Sequence, residues 1–260
     1  MVKISIITPV MNNVNFIRQC LDSVIEQEAP NVEHLVLDGA SNDGTLEVIK
    51  EYADRYDHIR YFSKKDGGQA EAMNKGIKLA RGEIITFLNV DDFFAKGVLK
   101  KVESRFESLP SPSIIVGNCN VLNGDKQDAL INVNKPSSYS LENIFRYWRY
   151  DVFPGNPAAY FYHKALHDVA GEYNVDDYYV LDYDFLFRAA RYANIKYFDE
   201  VWGNFRYYKG TKTEENVANG NNVKGRRDVA YRYLDFLSED QKEEYLKEEK
   251  AWKAESGFEG

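Results

Sequence analysis

Glu83-Ile84-Ile85-Thr86-Phe87-Leu88-Asn89-Val90-Asp91-Asp92 is a short apolar run that stops on two acids. Such a run, bounded by polar residues, reads as a buried β-strand. In an α/β sheet a buried strand delivers the residues after it to the carboxyl edge, where ligands bind. Adjacent carboxylates repel each other unless a cation or protons sit between them. A hard divalent cation shared with phosphates is one natural partner for Asp91 and Asp92. The other reading is a helix start, because Asp is a good N-cap and the segment after Ala95 looks helical.

Moving toward the N-terminus, strand and helix signals alternate. Ile4–Thr8, His34–Leu37 and Ile59–Phe62 read as strands. Between them Phe16, Ile17, Cys20, Leu21, Val24 and Ile25 recur at helical spacing, as do Leu46, Ile49, Tyr52, Ala53 and Tyr56. Ser41 or Asp43 is the expected cap of the second helix. Ala72, Met73, Gly76, Ile77 and Ala80 mark a third helix. This β-α-β-α-β-α-β order implies a mostly parallel sheet with right-handed crossovers.

Each predicted strand ends in polar residues. Thr8, Pro9, Asn12 and Asn13 follow the first, and Asp38, Gly39, Ser41 and Asp43 the second. Lys65, Asp66, Gly67 and Gly68 follow the third, and Asn89, Asp91 and Asp92 the fourth. Carboxyl ends of parallel strands share one edge, so these groups converge, and convergence favours the metal reading of the acid pair. The chain has neither GxxxxGK[ST] nor GxGxxG, which argues against P-loop and dinucleotide-binding enzymes.

Beyond residue 95 the pattern loosens. The spacing predicts helices over 96–108, Leu141–Trp148 and Asp182–Tyr192, and strands over Ile114–Val116, Ala158–Tyr162 and Ile195–Tyr208. Residues 123–138 read as hairpin or loop. Residues 210–225, rich in Gly, Asn, Lys and Thr, read as a mobile loop. A helical tail follows from about 223, and Ser238 with Gln241 has the form of a capping box. The expected organisation is residues 1–95 as a ligand-binding half, 96–222 as the second half of the same domain, and 223–260 as a C-terminal helical extension.

The 260 residues suit one large α/β domain, and 44% hydrophobic residues can fill its core. A net charge of −8 argues against a nucleic-acid partner. Residues 239–260 hold eight acids and four lysines and read as a solvated helix face. Cys20 and Cys119 have no metal or redox spacing, so reduced thiols in a cytoplasmic protein are expected. No run approaches the length of a membrane span. Peripheral contact with the cytoplasmic membrane face and homo-oligomer formation stay open. His163 and His167 are four apart, but without an HExxH pattern they read as ordinary core or surface residues. Trp148, Trp202 and Trp252 read as packing residues ahead of sugar platforms.

Several blocks resemble glycosyltransferase family 2. They are Ile6-Ile7-Thr8-Pro9-Val10-Met11-Asn12, Leu37-Asp38-Gly39-Ala40-Ser41-Asn42-Asp43-Gly44-Thr45, and Asp66-Gly67-Gly68-Gln69-Ala70-Glu71-Ala72-Met73-Asn74-Lys75-Gly76, leading to Asn89-Val90-Asp91-Asp92. Val180-Leu181-Asp182-Tyr183-Asp184 matches more loosely. The resemblance implies an α/β fold of GT-A type and inverting transfer from a nucleotide-sugar donor, expected to be a UDP-sugar. It implies a saccharide or lipid-linked acceptor and a role in polysaccharide biosynthesis.

By the same resemblance Thr8, Pro9, Asn12, Asp38, Asp66 and Asn89 bind the nucleotide, with Asp38 reading the base. Asp91, with Asp92, holds Mg²⁺ or Mn²⁺, and Asp182 is the general base, with Asp184 as runner-up. Asn156 and Pro157 face the acceptor. Arg206, Lys209 and Lys212 are candidates to clamp the diphosphate. Asn89, Leu181 and Tyr208 depart from the family's pattern. These departures motivate a second reading: a degenerate relative that binds nucleotide or glycan without turnover.

Overall fold

The computed structural model describes residues 3–258. The first half alternates as expected: β1 (Ile4–Val10), α1 (Ile17–Ile25), β2 (Val32–Asp38), α2 (Thr45–Arg55), β3 (Ile59–Ser63), α3 (Gln69–Leu79) and β4 (Ile84–Phe87). Then come β5 (Phe93–Phe94), α4 (Val98–Phe106), β6 (Ser113–Asn123), β7 (Ala129–Asn134), α5 (Leu141–Ile144), β8 (Tyr160–His163), α6 (Leu166–Ala170), α7 (Leu181–Ala190) and β9 (Asn194–Tyr207). The chain closes with α8 (Lys212–Ala218), α9 (Asn221–Arg232) and α10 (Glu239–Ser256).

The strands form one nine-stranded mixed sheet in the order β3-β2-β1-β4-β8-β6-β9-β5, with β7 paired to β6. β3, β2, β1 and β4 are mutually parallel. β8 runs against both β4 and β6, so β6 and its parallel neighbour β9 point the same way as β4. The carboxyl end of β9 therefore joins the edge reached by β1 to β4. Periodicity cannot show this, because it says nothing of strand order.

Both faces of the sheet are covered, which is why β1 and β2 are buried almost throughout. Ile7, Leu37, Ile85 and Phe87 pack with Met73 and Ile77 of α3 and Phe185 and Leu186 of α7. Ile4, Ile6 and Ile84 pack with Cys20 and Val24 of α1 and Val98 and Val102 of α4. Each fully buried side chain of this kind contributes about 1.5–3 kcal/mol. Gly76 lets α3 lie directly on β1, since a Cβ there would sit 2.5 Å from Ile7 Cγ2.

Three expectations change. Residues 210–225 are helical rather than a loop. The Thr211 hydroxyl accepts from Glu214 N (3.3 Å) and caps α8, and left-handed Gly220 turns the chain into α9. Local capping outweighs the loop-like composition there. The cap of α2 is Gly44 in a left-handed conformation, while Asp43 Oδ1 accepts from Thr45 N (3.0 Å) beside it. The acidic tail is not simply a solvated face. Ser238 and Gln241 form the expected capping box, and α10 then docks through Tyr245 and Trp252. Glu249 is buried and accepts from Tyr147 and Tyr231 hydroxyls, both at 2.6 Å.

The histidines and tryptophans behave as packing residues. His167 stacks on Phe185 with ring centroids 4.6 Å apart, and Ser113 N donates to His163 Nδ1 (2.9 Å). Trp202 is fully buried, and Trp148 stacks on Trp252 (5.3 Å). No helix among the described residues is long and apolar enough to cross a membrane.

Candidate active site

A cleft of about 550 Å³ opens at the carboxyl edge of the sheet. The first half of the chain lines it with Pro9, Asp66, Gln69, Asn89 and Asp91. The second half adds Asn156, Pro157, Asp182 and Lys212. The two halves meet here because β4 and β9 point the same way across β8 and β6.

The acid pair divides. Asp91 faces the cleft. Its Oδ2 accepts from the Tyr208 hydroxyl (3.1 Å), and its backbone carbonyl accepts from Arg206 Nη1 (2.7 Å). Burial raises the Asp91 carboxyl above its ordinary value. Asp92 points inward and is 1% exposed. Its Oδ2 accepts from Asn156 Nδ2 (2.7 Å) and Asn89 Nδ2 (3.1 Å), and its Oδ1 from Arg206 N (3.1 Å). Burial, and then the charge of Asp91, push Asp92 well above the carboxylate range. Asp92 is thus a correction to the expected metal pair. Its lone pairs tie β4, β9 and the loop before β8 together, because leaving those buried donors unpaired would be costly. The same geometry explains Asn89. A carboxylate there would meet Asp92 at hydrogen-bond distance, whereas the amide donates to it.

Of the pair, Asp91 is the acid that could hold a shared cation. It is a half-buried carboxylate lining the cleft, and a positive ion there would offset the charge it places beside Asp92. No group of three or more His, Cys, Asp or Glu among the described residues forms an all-protein metal cage. That composition suits Mg²⁺ or Mn²⁺ held by one carboxylate plus the phosphates of a ligand.

Asp182 sits in the first turn of α7, half-buried, with Oδ1 accepting from the Tyr160 hydroxyl (3.2 Å). Burial pushes its carboxyl up to about 6, while Lys212 and the Tyr160 hydroxyl pull the other way. Its neutral neighbour Leu181 is buried and adds to this apolar setting. Asp184, the alternative base, is closed off. It is fully buried and bound by Arg188 (2.7 Å), Arg232 (3.0 Å) and Tyr233 (2.8 Å).

The remaining candidates separate in the same way. Pro9, Asp66 and Asn89 line the cleft. Asp66 Oδ1 accepts from Gly68 N (3.0 Å), which shapes the turn into α3. Thr8 is a correction: it is fully buried and its hydroxyl pairs with His34 Nε2 (2.8 Å) inside the sheet layer. Asn12 and Asp38 lie beside the cleft rather than in its wall. Asn12 Oδ1 accepts from Asn42 N (2.8 Å), and Asp38 accepts from Ser63 Oγ (2.6 Å) and Ser41 N (3.2 Å). These bonds hold the loops after β1 and β2 together.

Of the three cations, only Lys212 reaches the cleft, where its Nζ donates to Gln69 Oε1 (3.0 Å). Arg206 is buried and bound to Asp128 (2.7 Å) and Gln19 (2.5 Å), so it is structural. Lys209 is exposed outside the wall.

Sequence reasoning missed Gln69, Phe153, Tyr178, Tyr179 and Arg226, all of which line the cleft. The pair Tyr178-Tyr179 just before Asp182 was the available signal. Arg226 had none, since it lies in what reads as a generic tail.

The family model for glycosyl transferase family 2 matches residues 5–167. An uncharacterized glycosyltransferase of Rickettsia typhi is 28% identical over 75% of this chain and 61% of its own length. One from Rickettsia felis is 31% identical over 82% of this chain and 36% of its own length. The chain thus spans less than two thirds of these relatives. The solved structure of S. aureus TarS 1-349 in complex with UDP-GlcNAc has a TM-score of 0.71 and 22% identity, covering 94% of this chain and 70% of that one. Mannosyltransferase PcManGT from Pyrobaculum calidifontis, in complex with GDP-Man and Mn²⁺, has a TM-score of 0.65 and 18% identity, covering 88% and 64%. These likenesses establish the GT-A fold.

Proposed function

Because this chain belongs to glycosyl transferase family 2, we propose that it moves a sugar from a nucleoside diphosphate donor to an acceptor hydroxyl with inversion. The observation that carries this reading is the meeting of Asp91 and Asp182 in one cleft from opposite halves of the chain. A UDP-sugar is the proposed donor. TarS bound to UDP-GlcNAc supports that choice as a relative in fold.

Inversion needs one base and no covalent intermediate. The acceptor oxygen attacks the anomeric carbon, its proton passes to Asp182, and the nucleoside diphosphate departs. A carboxyl near 6 suits this task. It is mostly ionised at neutral pH yet basic enough to accept a proton as the oxygen attacks. Tyr160 fixes the orientation of the Asp182 carboxylate through its hydroxyl. Lys212, close to Asp182, adds positive potential to the same wall. Pro9, Asp66 and Asn89 form the donor side, with Asp38 and Asn12 holding the adjoining loops. A bound Mg²⁺ or Mn²⁺, held by Asp91, would supply Lewis-acid neutralisation of the departing diphosphate.

Calorimetry with UDP, GDP and dTDP, with and without Mn²⁺, tests base choice and metal use together. We expect UDP to bind in the presence of Mn²⁺ and Asp91→Ala to weaken that binding at least tenfold. Absence of nucleotide binding under every condition overturns the reading.

A further inference from the structure

Two basic side chains line the cleft, Lys212 and Arg226. Lys212 is accounted for by Asp182 and Gln69. The other arginines near this wall are also paired: Arg206 with Asp128, Arg188 with Asp184, and Arg232 with Asp177 and Asp184. Arg226 has no carboxylate partner among the described residues. It is half-buried and open to the cleft. Its guanidinium rests against a pair of aromatic rings that pack edge to face on each other, with Cζ 5.1 Å from the Phe153 centroid and 5.6 Å from that of Tyr183.

Aromatic faces stabilise a cation only partly, and taking a charge even partly out of water without a partner carries a cost. A cation kept in that state beside a ligand cleft is poised for an anion supplied by the ligand. The fold has arranged for this placement. Gly225 lets α9 close on the segment before α7, since a Cβ there would meet Val180 Cγ1 at 2.8 Å. The position just after Gly225 thereby reaches the wall that holds Asp182. Phe153, one of its two rings, comes from the loop that also carries Asn156 and Pro157.

The reading above assigns the donor to the wall built by the strand ends of the first half, with Asp91. Arg226 comes from the second half, as do Tyr178 and Tyr179, which are 58% and 44% exposed at the same cleft. Exposed tyrosine rings with a hydroxyl at the tip suit a sugar face.

We propose that Arg226 is an anion subsite for the acceptor, so that the acceptor is a saccharide bearing a phosphate or a carboxylate near the hydroxyl that is glycosylated. The guanidinium offers that group a bidentate pair of N–H donors, and Tyr178 and Tyr179 flank the sugar that carries it. This rests on the transfer reading above for which hydroxyl reacts. The anion site itself does not depend on it.

The test is direct binding, read by ligand-detected NMR on the full chain with and without UDP and Mn²⁺. The probes are glycerol 1-phosphate, methyl β-glucuronide and neutral methyl β-glucoside. The first two separate a phosphate source from a carboxylate source. We expect at least one anionic probe to bind tenfold or more tighter than the neutral one. Arg226→Met should abolish that preference, and Arg226→Lys should retain part of it, because the charge stays while the fork is lost. UDP affinity should stay within twofold in both variants. Methionine can cover the same two rings, and the lysine variant covers the case in which the methionine variant does not fold. Equal binding of all three probes to the wild type overturns the proposal. So does a tenfold loss of UDP affinity in Arg226→Lys, which would make Arg226 part of the donor site. If anionic probes bind through Arg226 but no nucleotide binds, the transfer reading fails and the anion site stands.

Discussion

Replacing Asp182 with Asn should remove transfer and yet strengthen the fold, with a pH signature that fixes the cause. Burial raises the Asp182 carboxyl from 3.8 to about 6 in the folded chain. A carboxyl raised on folding binds its proton more tightly in the native state. It therefore costs nothing below the unfolded value and destabilises the fold progressively as pH rises toward the folded value. The gap of roughly two pH units corresponds to about 3 kcal/mol once both states are ionised. At pH 5 about half of that penalty is already present, and by pH 8 all of it is. The amide of the Asp182→Asn variant does not titrate. Relative to wild type, the variant should therefore gain about 1.4 kcal/mol between pH 5 and pH 8.

Any pH-independent effect of the substitution cancels in that difference, and the contacts with Lys212 and Tyr160 are already contained in the folded value of Asp182. Urea unfolding of both proteins at pH 5, 6, 7 and 8 reads it directly. In thermal melts it corresponds to roughly 3–5 °C for a chain of this size. Losing a general base should lower kcat about 10²–10⁴-fold, with UDP affinity retained. A stability difference that stays flat from pH 5 to pH 8 would falsify the raised carboxyl. Full transfer by the Asn variant would remove Asp182 from the chemistry whatever the stability result.

Further outcomes follow from the same contacts. Tyr160→Phe removes a hydrogen bond that lowers the Asp182 carboxyl, so the acidic limb of the pH–rate profile should move up by about half a pH unit; a downward move contradicts the contact. Asp92→Ala strands the amides of Asn89 and Asn156 and the N–H of Arg206, and should cost about 3 kcal/mol or more in urea unfolding. A loss below about 1 kcal/mol would show that Asp92 does not bind these elements together. Gly117→Ala drives a methyl into the buried Trp202 ring and should destabilise by about 1–3 kcal/mol, or more where the ring cannot move. Unchanged stability there would mean that β6 and β9 can separate without penalty.

Much of this molecule is local in origin and so was legible in the sequence. The alternation of strands and helices through β4 follows from apolar spacing, and the polar residues after each strand follow from where parallel strands end. The capping box at Ser238 is likewise a contact within four residues. Asp91 and Asp182 could be named because acids at element ends are visible as such, and the resemblance to the family supplied roles for them. Which way each carboxylate faces is a different matter. Asp91 and Asp92 are neighbours with the same chemistry, yet one lines the cleft and the other is locked by Asn89, Asn156 and Arg206. Two of those partners are more than sixty positions away in the chain, so no reading of residues 83–92 alone contains them.

The same division holds for the cations. Arg206, Lys209 and Lys212 look alike in a strand-end segment. Only the sheet order, which brings β9 beside β6 and Asp128 beside Arg206, decides that Arg206 is structural and Lys212 faces the cleft. Arg226 carries no signal at all in its own neighbourhood. Its place in the cleft wall with Asp182 depends on α9 closing over Val180, a contact permitted by one glycine. The kind of sheet, its ligand edge and the acids able to do the chemistry are set by periodicity and residue type, and these can be read along the chain. Which charged groups are free and which are paired is set by long-range packing, because only the folded chain brings their partners within hydrogen-bond reach.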